Sequence, residues 1–388
     1  MKRTVNKKGV AFSGLMMTIL INGMVKLSFN VQPVEATGTI YIKADGSIEP
    51  STAPIQNLQN STYIFTSNIN DSIVVERHSI VIDGAGYTLR GMGSEAGITF
   101  TGRSNVTVKN TRITKFSYGI YLYGSSNITL SNNTIINNEW DGIYLVYSDN
   151  NFLYGNIVSS NKRYGIMLSE CGNNRIFHNN FINNYMNQTC LYQSFNNMWN
   201  ASYPSGGNYW SDYNGVDLNS GPYQNDTGSD GIGDYPYSLD AYNQDYYPLI
   251  APISLFDVDV WNDKPCKVEI ISNSTVSNFQ LNKTQNMIIF NVSGVTGLGF
   301  CKVIIPNIII QNMWQNNYTV FLDKQQVEFR NWTDEVYTYI YFIYPHQKHE
   351  ALIVPESLST ILLLLLFPII TASLIVKRRY QRNRRTNS

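Results

Sequence analysis

A tetrad returns every 23 residues: Gly119-Ile120-Tyr121-Leu122, Gly142-Ile143-Tyr144-Leu145 and Gly165-Ile166-Met167-Leu168. Gly97-Ile98-Thr99-Phe100 stands 22 residues before the first, and a degenerate copy, Gln188-Thr189-Cys190-Leu191, stands 23 after the last. A fixed period of this length means stacked units, each burying its apolar side chains against the next. The columns extend well past the tetrad. Val108, Leu130, Leu153, Ile176 and Trp199 share one, and Ile113, Ile135, Val158 and Phe181 share another. Asn105, Asn127, Asn150, Asn173 and Asn196 form a polar column, and Asn133, Asn156 and Asn179 a second. Apolar residues alternate at period two, which is the pattern of short strands. Asn tolerates the left-handed region and bonds its own backbone, which suits the corners between them. Helical repeats need 3.6-residue periodicity, and it is absent. These features predict a right-handed parallel β-helix over residues 62–215. Ser72-Ile73-Val74-Val75 and Ile80 to Gly86 form its less regular first coils, and residues 37–61 are a lead-in.

The rest of the chain divides by composition. Residues 216–251 are an acidic end segment rich in Tyr, Asp and Gly. Residues 252–350 hold strand-like runs at Lys267–Ile271, Met287–Val292, Cys301–Ile305, Tyr318–Leu322 and Tyr337–Ile343, which predict a β-sandwich of immunoglobulin-like size. The first 36 residues read as a signal peptide: cations at Lys2, Arg3, Lys7 and Lys8, an apolar run, then Val34-Glu35-Ala36. After a short linker at 351–357, the apolar run 358–376 would span about 28 Å as a helix, enough for a hydrocarbon core. The basic tail 377–388 then stays cytoplasmic and leaves the body outside the cell. The expected class is therefore all-β: a parallel β-helix, then a β-sandwich, then a C-terminal transmembrane helix. Lysines and arginines equal aspartates and glutamates at 28 each. Removing the two basic ends leaves 17 cations against 27 anions. An acidic body repels phosphate backbones, so nucleic acid is not an expected partner. The expected partners are the membrane, through the C-terminal helix, and a glycan. Thirteen Asn-x-Ser/Thr sequons accord with export to a glycosylating surface.

From Ile82-Asp83-Gly84-Ala85-Gly86-Tyr87 through the Gly-Ile-x-Leu repeats, the chain resembles the NosD-like β-helix family. The likeness continues through Gly206-Gly207-Asn208-Tyr209-Trp210 and Asp230-Gly231-Ile232-Gly233-Asp234. It implies the pectin-lyase-like superfold, whose members include carbohydrate-binding and sugar-hydrolase β-helices, while the family's name implies a copper accessory role. Residues 272–279 and 299–303 resemble membrane-proximal sandwich modules of archaeal surface proteins. Val354-Pro355-Glu356-Ser357, the apolar run and the Arg-rich tail resemble sortase-processed C-terminal signals.

Several chemistries have candidate residues. With Ile and Leu pointing inward, Tyr121 and Tyr123 point outward; Tyr144 shares the column of Tyr121, and Tyr192 that of Tyr123. Such an exposed aromatic ladder is a candidate carbohydrate-binding surface. Asp226, Asp230 and Asp234 around Gly231 partly match a calcium loop. Cys266 and Cys301, both in the sandwich, are the candidate disulfide, while the pairing of Cys171 and Cys190 stays open. Met167 beside Cys190 is a candidate copper(I) pair, with His78, His178, His346 and His349 scattered elsewhere. Sugar cleavage by a lyase, hydrolase or epimerase is the rival class. It needs paired carboxylates, yet Glu139, Asp141, Asp149 and Glu170 occupy four different columns, and Glu139 is aligned with Lys162 as an ion pair. The expectation leans away from an enzyme.

Overall fold

The computed structural model describes residues 38–261 and 264–357. Three sheets of short strands wrap around one aliphatic core. The first sheet runs through Thr39–Ile42, Ser72–Val75, Ala96–Thr101, Tyr118–Tyr123, Ile143–Val146, Tyr164–Ser169 and Asn187–Tyr192, all parallel. Its register places Ile98, Ile120, Ile143 and Ile166 side by side, and Phe100, Leu122, Leu145 and Leu168 likewise. All eight are fully buried or nearly so. The other two sheets carry the two remaining apolar columns, the last coil extending one of them from Phe181 to Trp210.

The corner column Asn105, Asn127, Asn150, Asn173 and Asn196 is left-handed throughout, with φ between 53° and 60°. Asn133, Asn156 and Asn179 stack as a buried amide ladder that ends on Asn208, each Nδ2 donating to the next Oδ1 at 2.9–3.0 Å. Two further ladders, Asn138/Asn161/Asn184 and Asn151/Asn174/Asn197, repeat the arrangement. A fourth runs through Ser125, Ser148, Cys171 and Ser194, each backbone N–H donating to the side chain of the next coil.

The β-helix begins earlier than residue 62. Thr39–Ile42 pairs in parallel with Ser72–Val75, and Ile40 and Ile42 are buried beside Ile73 and Val75, so the described part of the expected lead-in 37–61 already contributes a strand to the β-helix. The step between these two strands is 33 residues, outside the 23-residue period, which hides the relation in the sequence.

The segment 216–251 closes the far end. Trp210 stacks between Phe181 and Tyr237, at centroid distances of 4.6 and 4.7 Å. Beside it the buried carboxylate of Asp245 accepts the N–H groups of Asn208, Trp210 Nε1 and Tyr247 at 2.8–3.1 Å. Burial pushes Asp245 up to about 7 against those donors.

Residues 253–355 form two five-stranded antiparallel sheets with a shared core. Val268, Ile270, Val303 and Ile340 of one sheet are buried in one cluster with Ile288, Phe290, Val320 and Ile353 of the other. The helix Asn307–Trp314 adds Ile309, Ile310, Met313 and Trp314. All five predicted runs are strands, and this helix is an element the sequence reading did not contain.

The expected Cys266–Cys301 disulfide is not present. Cys301 stands opposite Ser272, whereas Cys266 lies six residues back along the same strand. That separates them by about 20 Å, far beyond the reach of a disulfide. Cys301 is buried, its Sγ 3.5 Å from both Ser272 Oγ and Tyr344 Oη, and burial pushes its thiol up to about 11.

The sandwich folds back against the β-helix. Asn180 donates to Ile253 O (2.7 Å) and accepts its N–H (2.9 Å). Leu255 lies over Gly155, where φ is +66° and an added Cβ would stand 2.4 Å from a Leu255 methyl. Ile232, Leu249, Ala251 and Ile253 share a core with Phe300, Ile304 and Tyr339 of the sandwich. The expected signal peptide and the apolar run 358–376 lie outside the described residues; within them no helix is long and apolar enough to cross a membrane.

Candidate functional site

The outer face of the first sheet carries the aromatic residues. Alternation points Tyr121 and Tyr123 outward, and register places Tyr121 beside Tyr144 at a centroid distance of 5.4 Å. Tyr192 occupies the column of Tyr123, separated from it by Val146 and Ser169. Tyr123 and Tyr192 are exposed, and Tyr121 and Tyr144 half-buried. The patch is wider than the sequence indicated. Tyr118 stacks on Tyr121 (5.8 Å), touches Tyr144 (5.2 Å) and meets the edge of exposed Trp140 (5.2 Å). Tyr147 meets Tyr123 edge-on (5.8 Å). Trp140 and Tyr118 precede the repeated tetrad at the coil corner, so column-matching along the strand does not reach Trp140. Burial raises the phenols of Tyr118, Tyr121 and Tyr144, which keeps their hydroxyls protonated as donors as well as acceptors.

An ion pair braces this patch. Asp141 is fully buried, and Arg163 of the next coil grips both its oxygens, Nε at 2.8 Å and Nη2 at 2.5 Å. Tyr164 N–H adds a third bond to Asp141 at 3.1 Å. The Asp141 hydrogen bonds hold Arg163 above its ordinary value, and the guanidinium lies by the rings of Trp140 (5.9 Å) and Tyr164 (5.2 Å). Glu139 and Lys162 pair at 2.5 Å on the same corner, as their alignment predicted.

The expected calcium loop does not assemble. Asp226 is exposed, Asp234 accepts the N–H groups of Leu218 and Asn219, and buried Asp230 accepts the N–H of Ile232 (3.0 Å). Asp230 and Asp234 are thus each engaged by hydrogen-bond donors of their own segment. Among the described residues no group of three or more His, Cys, Asp or Glu side chains is placed to hold a metal ion.

Met167 and Cys190 do lie side by side, but Met167 Sδ takes an N–H from Arg163 at 3.1 Å, and a guanidinium against the sulfur opposes a bound cation. His178 is buried at the sandwich, His346 bonds Thr296 O and His349 bonds Asp323. Among the described residues these donors do not fit a copper site.

Two polar clusters occupy the seam between β-helix and sandwich. In one, Glu269 pairs with His178 Nδ1 at 2.7 Å and accepts the hydroxyl of Tyr154, while His178 Nε2 faces Ser205 O at 3.0 Å. In the other, Lys302 of the sandwich lies near Asp230 and Asp217 of the end segment. Spacing along the chain carries no signal for either, since each joins residues about 70–115 apart.

Residues 30–215 match the family described as "Periplasmic copper-binding protein (NosD)". No curated protein matches the chain. A periplasmic alginate epimerase is similar at 22% identity over 34% of this chain and 31% of its own, with a TM-score of 0.27. The enzymatically active domain of tailspike protein 2 from bacteriophage CBA120 shows 13% identity over 62% of this chain and 48% of its own, with a TM-score of 0.26. A tailspike from an Acinetobacter baumannii bacteriophage, a capsular polysaccharide depolymerase, shows 11% over 77% and 72%, with a TM-score of 0.21. The chain thus spans less than half the length of the first two, and at this level of likeness their activities do not transfer to it. From residue 38 to residue 215 the matched region is a parallel β-helix of stacked 23-residue coils, the fold that the resemblance to the NosD family implied.

Proposed function

We propose that this is an exported surface protein whose β-helix recognises a glycan on the outer face of its first sheet. One observation carries the reading: the contiguous patch of Tyr118, Tyr121, Trp140 and Tyr144. Aromatic faces offer apolar area to sugar rings, and protonated phenols offer donors and acceptors to their hydroxyls. The NosD description as a periplasmic family supports export. The C-terminal apolar run followed by the basic tail supports anchoring with the body outside. Recognition is favoured over cleavage because the carboxylates on this corner are already engaged, both oxygens of Asp141 by Arg163 and Glu139 by Lys162.

The test is a glycan array probed with the chain and with a Tyr121→Ala, Tyr144→Ala double variant. A loss of at least about tenfold in affinity is expected, roughly the worth of one lost ring stack. A double variant that lowers the melting temperature and leaves glycan affinity unchanged assigns the ladder to stability and sinks this reading.

A further inference from the structure

Lys302 is fully buried on the strand Leu298–Pro306. Its stem crosses Gly231, whose φ is +86° and where an added Cβ would lie 3.2 Å from Lys302 Cδ. Its Nζ has no hydrogen-bond partner among the described residues and sits 5.6 Å from the centre of the Tyr339 ring. Phe300 and Tyr341 belong to the same core. Two carboxylates act on it electrostatically: Asp230, itself fully buried, and Asp217, which accepts the N–H groups of Asp230 (3.0 Å) and Gly231 (2.8 Å). The other cation of the seam, Arg330, is tied to Ser229 O and Ser220 Oγ at 3.0 Å each.

A buried ammonium without a partner is costly, and the neutral amine with a neutral acid is the form an apolar setting favours. Burial accordingly holds Lys302 down to about 8, pushes Asp217 up to about 7, and raises Asp230. A desolvated lysine amine is a nucleophile, and a protonated carboxyl is an acyl donor.

We propose that Lys302 and Asp230 join in an intramolecular amide bond that ties the end segment of the β-helix covalently to the sandwich, with Asp217 carrying the proton. The lysine side chain turns from the Tyr339 ring toward Asp230. The amine lone pair attacks Cγ of the protonated Asp230 carboxyl, and the N–C bond forms. Asp217 takes a proton from the attacking nitrogen and returns it to the departing hydroxyl. The C–O bond breaks, one water leaves, and Asp217 is regenerated. No oxidant or further reactant is needed.

Peptide mapping of the full chain by mass spectrometry tests this directly. The expected product is a joined pair of peptides containing residues 230 and 302, lighter than their sum by one water, with no tryptic cleavage after Lys302. Lys302→Gln and Asp230→Ala are expected to return separate peptides. Asp217→Ala is expected to slow linkage by at least about 100-fold, the usual worth of a positioned acid–base group, with the circular dichroism unchanged. Recovery of the two peptides unlinked from folded wild-type chain overturns the proposal. A link from Lys302 to Asp217 overturns the assignment of the two carboxylates.

Discussion

At the scale of single residues, buried carboxylates divide into two kinds. Asp141 meets an arginine that grips both its oxygens, whereas Asp245 meets only neutral N–H donors, and burial then pushes it up to about 7. The folded chain keeps a proton on Asp245 that the unfolded chain sheds near pH 4. Its stabilising contribution is therefore full below about pH 4 and is lost as the pH rises through about 7. Melting curves at pH 5 and pH 8 are expected to differ less for Asp245→Asn than for wild type; an unchanged difference would show that Asp245 does not titrate in this window. The sequence marks Asp245 as one of many acidic residues of the end segment. Its burial depends on Trp210 and Asn208, about 35 residues back, and no local pattern records that.

The coil is the element of this fold, and the Asn-Asn pair is its hinge. Asn132-Asn133, Asn137-Asn138, Asn150-Asn151, Asn173-Asn174 and Asn183-Asn184 share one division of labour. The first Asn takes the left-handed conformation and the second is buried in a ladder. The sequence reading assigned the corner column and one ladder, because their 23-residue spacing is visible there. The other two Asn ladders are hidden because a doubled Asn looks like a turn twice over, whereas its second member is core, and the Ser125/Ser148/Cys171/Ser194 ladder is hidden because its residue type changes along the stack. Asn156→Ala removes the bonds to Asn133, Asn179 and Leu130 O and strands their buried groups, at an expected cost of about 2–4 kcal/mol in urea melts. Leu145→Ala in the same stack is expected to cost about 2–5 kcal/mol through its cavity. A cost below about 0.5 kcal/mol for Leu145→Ala, the range of a surface substitution, would contradict the register. The Asn variant's cost is the more informative of the two, since hydrophobicity alone would count it as harmless.

At the scale of the whole molecule, the two β bodies share a seam rather than a linker. Sequence composition divides them at residue 252, and the first sandwich strand starts at Ile253, but the docking of Leu255 on Gly155 and of Glu269 on His178 pairs residues too far apart for any period to show. Glu269→Ala leaves buried His178 and half-buried Tyr154 without their acceptor, at an expected cost of about 2–4 kcal/mol. Calorimetry is expected to split one unfolding transition into two as the sandwich loosens; a single unshifted transition would show that the seam contributes nothing to cooperativity.

The stack also sets a scale for anything lying along it. Adjacent coils stand about 4.8 Å apart, so Tyr123 and Tyr192, three coils apart in one column, mark about 14 Å along the axis. The aromatic face works as a graduated rule: duplicating residues 142–164 would insert one more rung between those marks and lengthen the matching ligand by the same step, with no new contact to invent.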